Sequence, residues 1–126
     1  MENNLQLTEE DIKKYRKIID EIDISEKDKI LTEAIIKITK LFENKNLSQF
    51  QLILVQEINA LCNILRTTPH LEQLVQQKII FAINYFLKGQ DDIPDDIPEI
   101  GFLDDLAVVD WIIHDIKEQY SHYFQA

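Results

Sequence analysis

Apolar residues recur along this chain at spacings of three and four, the mark of helices that turn one face to a core. Each run opens with a residue able to cap free backbone N–H groups. Thr8, with Asp11 three residues on, opens a run whose face is Ile12, Tyr15, Ile18, Ile19 and Ile22. Ser25, with Asp28 three along, opens a second, striped by Ile30, Leu31, Ala34, Ile35, Ile38, Leu41 and Phe42 and broken by Asn44 to Leu47. Ser48 and Gln51 form a capping-box pattern, in which each side chain satisfies the other's backbone donor. The third helix then buries Leu52, Val55, Ile58, Leu61, Cys62 and Leu65.

Thr67-Thr68-Pro69 marks the next boundary, because proline is tolerated in the first turn of a helix but not in its interior. The fourth helix runs to Lys88 and stops at Gly89. Leu74, Val75, Ile79, Ala82, Ile83 and Phe86 form its main stripe, and Ile80, Phe81 and Leu87 widen it beyond one face, which predicts the central, most buried helix. A fifth helix, capped by Asp104 or a neighbour, carries Leu106, Val109, Trp111, Ile112, Ile113, Ile116, Tyr120, Tyr123 and Phe124. No strand pattern and no duplicated unit accompany these runs. The expected architecture is all-α, a single domain over residues 1–126 built as a bundle of about five helices.

A chain of 126 residues is long enough to bury a real core. Two glycines and three prolines, all three beyond residue 68, leave no room for a flexible linker or a turn-rich β-sandwich. Cys62 is the sole cysteine, so no disulfide forms within the chain, and Met1 to Asp11 is too polar for a signal peptide. A cytoplasmic setting is expected. The longest purely apolar stretch, Ile79–Ile83, is far short of a membrane span, although peripheral membrane contact stays open.

Charge changes the picture. The formal net charge is −10, yet eight acids and no base lie between Gly89 and Asp110, and the remainder of the chain sums to only −2. A surplus of this sign disfavours nucleic acid and anionic lipid and favours cations or a protein partner with a basic surface.

The acidic window contains a repeated unit, Asp92-Ile93-Pro94-Asp95 followed by Asp96-Ile97-Pro98-Glu99. Residues before proline are pushed out of the α region, so Ile93 and Ile97 are expected to be extended and the 90–103 stretch to be a stiff connector with a turn at Gly101. Asp91, Ile93, Pro94, Asp95, Ile97, Pro98, Gly101, Asp104 and Asp105 fall on the pattern D-x-I-P-D-x-I-P-x-x-G-x-x-D-D. In this segment, over roughly 88–113, the chain resembles the YkvA-like family, a small helical domain of unknown function (1232). The resemblance implies a helical fold and relatedness, and it brings no established activity. Departures are Gly89 where the family usually has proline, Asp92 and Asp96 where it has apolar residues, and polar interruptions of the last helix at Asp110, His114, Asp115, Lys117 and Glu118. These interruptions argue against the membrane-associated C-terminus of many relatives.

Several readings of the aspartates follow. Two carboxylates about 4 Å apart repel by roughly 4 kcal/mol at an effective dielectric near 20, so a cluster calls for relief. The favoured reading is structural: Asp91, Asp95 and Asp104 accept backbone N–H bonds in turns and caps, with Ile93 and Ile97 as core anchors. A second places a basic partner against Asp92, Asp96 and Glu99. A third makes Asp91, Asp95, Asp104 and Asp105 a site for Mg²⁺, Ca²⁺ or Mn²⁺ with hydrolase chemistry, although the spacing is not that of an EF-hand.

Other candidates have plainer explanations. Asp110, His114 and Glu118 share a face of the fifth helix, and a solvated polar stripe is favoured over a metal site. Cys62 lies on an apolar stripe and is expected to behave as a core hydrophobe. His70, in the first turn of the fourth helix, and His122 lack an evident partner. Lys13, Lys14, Arg16 and Lys17 are expected on a solvated face, with the acidic segment of the same chain or of a second copy as the rival partner. The aromatics of the fifth helix are expected in the core rather than on a docking surface. The function expected is a non-enzymatic interaction or scaffold module with no catalytic residues and no cofactor. A partner would meet the acidic connector and the start of the fifth helix, and a homo-oligomer is one form such a partner can take.

Overall fold

The computed structural model describes residues 7–43, 47–68, 70–88 and 98–120, with side chains in the last helix described for 106–118. The helices are α1 (Glu9–Asp20), α2 (Lys27–Glu43), α3 (Gln49–Thr67), α4 (Gln73–Lys88) and α5 (Pro98–Tyr120), and a 3₁₀ turn over Ile24–Glu26 joins α1 to α2. No strand occurs among the described residues. The all-α expectation holds.

Local chemistry sets most of the helix starts. Thr8 and Asp11 form a capping box on α1, with hydrogen bonds of 3.1 and 3.2 Å in the two directions. Ser48 and Gln51 do the same on α3 at 3.1 and 2.7 Å. Ser25 does not open α2: Asp23 caps the 3₁₀ turn by accepting the Ser25 N–H at 3.0 Å, and α2 begins two residues after Ser25. That hydrogen bond holds the Asp23 carboxyl below its ordinary pKa.

The core joins α4 to every other helix. Val75, Ile79, Ile80, Ala82, Ile83 and Phe86 of α4 are almost wholly buried, and they meet Leu54, Ile58 and Leu61 of α3, Ala34 of α2, Ile19 of α1 and Val108, Ile112 and Ile116 of α5. The prediction of a central fourth helix is met. An aromatic group fastens α1 and α5 to it: Tyr15 stands 5.3 Å from Phe81 and 6.1 Å from Trp111, ring centre to ring centre.

Some stripe positions depart from expectation. Ile18, Ile35, Phe42, Leu52 and Leu74 are exposed. A helix only partly covered by neighbours buries a narrower face than its apolar residues span, and α2 packs chiefly on α4 with little of α3. Two boundaries also move. α4 begins at Gln73 rather than at Pro69, so His70 lies before the helix, in a turn with φ 58°. α5 begins at Pro98, so Gly101 is helical rather than at a turn, and Asp104 lies within the helix rather than at its cap. Proline at a first helical position needs no N–H partner, which accounts for the earlier start. No helix among the described residues is long and apolar enough to cross a membrane.

Candidate functional site

The last helix carries a polar group on each flank, and helical geometry explains why. Asp110 and Lys117 are separated by two turns and share one side, whereas Asp115 falls on another.

On the first flank Asp110 meets Glu57 of α3. Burial raises the Glu57 carboxyl to a pKa of about 8, assisted by a hydrogen bond to Asp110 and by repulsion from its charge, while Lys117 works in the opposite direction. Glu57 is therefore largely protonated at neutral pH and hydrogen-bonds to Asp110 across the α3–α5 seam. Glu57 Oε1 is buried without a hydrogen-bond partner among the described residues.

On the second flank Lys78 of α4, 6% exposed at its side chain, donates to Asp115 Oδ2 at 2.5 Å, and Asp115 itself is 12% exposed. Arg16 of α1 reaches the other carboxylate oxygen at 3.7 Å while its guanidinium lies 5.8 Å from the Trp111 ring centre. A cavity of about 120 Å³ adjoins these groups. Beside them, buried Gln77 donates to the carbonyls of Ile22 and Asp20 at 3.0 and 3.4 Å, binding the end of α1 to α4. These networks hold helices in register. They present no nucleophile to a substrate, and Cys62 is buried with its thiol raised to about 11.

Of the residues singled out in the sequence, Asp91, Asp92, Ile93, Pro94, Asp95, Asp96 and Ile97 lie outside the described residues. Pro98, Glu99, Gly101, Asp104 and Asp105 occupy the first two turns of α5. Asp110, His114 and Glu118 are all exposed, as expected of a solvated stripe; Asp110 also reaches Glu57, and His114 and Glu118 pair with each other at 3.3 Å. No group of three or more His, Cys, Asp or Glu among the described residues is placed to hold a metal ion. The basic cluster of α1 divides as well. Arg16 reaches Asp115, while Lys13, Lys14 and Lys17 are exposed. Trp111 lies in the aromatic group, and His122, Tyr123 and Phe124 fall outside the described residues.

Sequence reasoning missed Glu57, Lys78 and Asp115. Lys78 carried a usable signal, since it follows Val75 by three and precedes Ala82 by four, which places it on the buried face. Glu57 carried a weaker one, next to the buried Ile58 but at the edge of the stripe.

In the sequence the acidic window follows the end of α4. α4 ends at Lys88, and in its last turn the Phe86 carbonyl accepts from the Lys37 ammonium of α2, which also lies 4.4 Å from the Phe86 ring centre. Ile35 and Ile36, neighbours of Lys37, are each 50% exposed.

Residues 78–111 match a protein family of unknown function, DUF1232. The match spans the end of α4, the acidic segment and the first half of α5, and it supports assigning the chain to that family. Comparison with curated proteins and with solved structures returned no match.

Proposed function

We propose that this protein is a non-enzymatic helical interaction or scaffold module of the cytoplasm, with the acidic connector and the start of α5 as its docking surface. The observation that carries the reading is the charge arithmetic: eight acids without a base between Gly89 and Asp110, on a chain otherwise near neutral. The partner fitting this surface is a protein segment that combines basic and apolar side chains. Its cations meet Asp92, Asp96 and Glu99, and its apolar groups cover Ile35 and Ile36, which are exposed on α2. Charge complementarity of this kind speeds encounter and selects partners more than it adds affinity.

The test is a pull-down comparing the wild-type chain with a variant carrying Asp92→Asn, Asp96→Asn and Glu99→Gln. Loss of partners with an unchanged melting temperature supports the reading, and an unchanged partner set counts against it. Thermal unfolding in EDTA and then in Mg²⁺, Ca²⁺ or Mn²⁺ separates it from a carboxylate metal site at Asp91, Asp95, Asp104 and Asp105. A cation at 100 times its Kd would stabilise by about 2.7 kcal/mol, so a clear rise in melting temperature with one metal would favour that alternative.

A further inference from the structure

Between the end of α3 and the start of α4 lies a cavity of about 340 Å³, bordered by Lys27, Arg66, Thr67, Thr68 and His70 above the buried Leu65 and Leu71. No carboxylate is among its described lining residues, on a chain with 23 acids and 13 bases. Neither Lys27 nor Arg66 takes part in an ion pair among the described residues. Arg66 donates instead to the neutral Oδ1 of Asn63 at 3.3 Å, which leaves other guanidinium donors available.

The position of Lys27 bears most directly on a ligand. It stands where the 3₁₀ turn runs on into α2, its N–H donating to the Ile24 carbonyl, and its ammonium borders the cavity without an ion pair among the described residues. Arg66, in the last turn of α3, does complement a helix dipole, so its placement alone would be ambiguous. The Thr67 hydroxyl donates to the Asn63 carbonyl at 2.7 Å, which leaves the Thr68 hydroxyl as the candidate donor of the pair. Gln76, in the first turn of α4, also borders the cavity, with its side-chain amide donating to the Leu71 carbonyl at 2.8 Å.

We propose that this cavity binds a small phosphomonoester, held by Lys27, Arg66, His70 and the Thr68 hydroxyl. Two fixed cations match the dianion that a phosphomonoester approaches at neutral pH, and the guanidinium fork suits two phosphate oxygens. The volume leaves room for an organic substituent beyond the phosphate itself. This site is separate from the acidic docking surface, and the two stand or fall independently.

Titration of the full chain with glycerol 3-phosphate, with inorganic phosphate and with acetate, followed by amide resonances in NMR, tests the assignment. Glycerol 3-phosphate should give saturable shifts centred on residues 66–71, inorganic phosphate weaker ones at the same places, and acetate none. Lys27→Gln with Arg66→Gln should weaken binding at least about tenfold, as expected when charge-assisted hydrogen bonds are lost, with the melting temperature retained. If Arg66→Gln unsettles α3, Lys27→Gln alone carries the expectation, because it should lower affinity with the melting temperature retained. Absence of saturable shifts at millimolar phosphate, or wild-type affinity in the Lys27 variant, overturns the proposal.

Discussion

Glu57 takes up its proton more readily folded than unfolded, since its carboxyl moves from 4.5 to about 8 on burial beside Asp110. A raised carboxyl pKa gives stability that is fully present below about pH 4.5, declines as pH rises, and is lost above about pH 8. Glu57→Gln keeps the hydrogen-bonding shape without the ionisation. It should raise stability at pH 8.5 by about 2 kcal/mol, allowing for solvent screening at a partly buried position, and change little at pH 4.5. Urea denaturation at both values checks this, and an equal gain at the two would separate the effect from ionisation. Lys78 and Asp115 carry the opposite lesson. Lys78→Met leaves Asp115 largely buried with only the longer Arg16 contact, and should cost about 3 kcal/mol. Adding Asp115→Leu should restore most of that loss, because replacing both members of a buried pair removes the desolvation penalty along with the attraction.

Helices whose starts depend on nearest neighbours in the chain were legible in the sequence. The boxes at Thr8–Asp11 and Ser48–Gln51 need only one hydroxyl and one acceptor three residues apart, and both formed. Starts that depend on competition between adjacent signals were not. Asp23 outcompeted Ser25 as a cap, and the fourth helix began four residues after Pro69 because the chain first turns at His70. At α5 the turn expected from Gly101 is absent: the helix takes Pro98 as its first residue and runs through the glycine. A glycine inside a helix costs about 1 kcal/mol relative to alanine, so Gly101→Ala should stabilise the protein by up to that amount. A melting temperature that falls instead would indicate a positive φ at 101 and return the connector to the length expected from the two Ile-Pro steps. The part of the candidate site that resisted reading is the set of cross-helix pairs, Glu57 with Asp110 and Lys78 with Asp115. Their partners lie 53 and 37 residues apart, and helical periodicity carries no information about which faces meet.

At the scale of the whole molecule the question is whether the acidic segment divides the chain or merely spans it. α5 follows that segment, yet it packs against both α3 and α4, and Val108, Ile112 and Ile116 enter the same core as Ile58 and Ile79. The pairs Glu57–Asp110 and Lys78–Asp115 cross the same boundary, so residues on either side of the connector share apolar contacts and polar ones alike. Unfolding is then expected to be one cooperative event. Trp111, the sole tryptophan, sits where α1, α4 and α5 meet, and its fluorescence reports on that junction alone, whereas far-ultraviolet circular dichroism reports on all the helices. The two transitions should coincide in urea, as they do for two-state domains of this size. Ile79→Ala, at a fully buried site on the helix shared by all the others, should shift both together by about 2–5 kcal/mol. If the tryptophan signal melted first, the helix after the connector would be a separately unfolding element docked on the bundle. The acidic segment would then act as its hinge, a different role from the anchored docking surface proposed above.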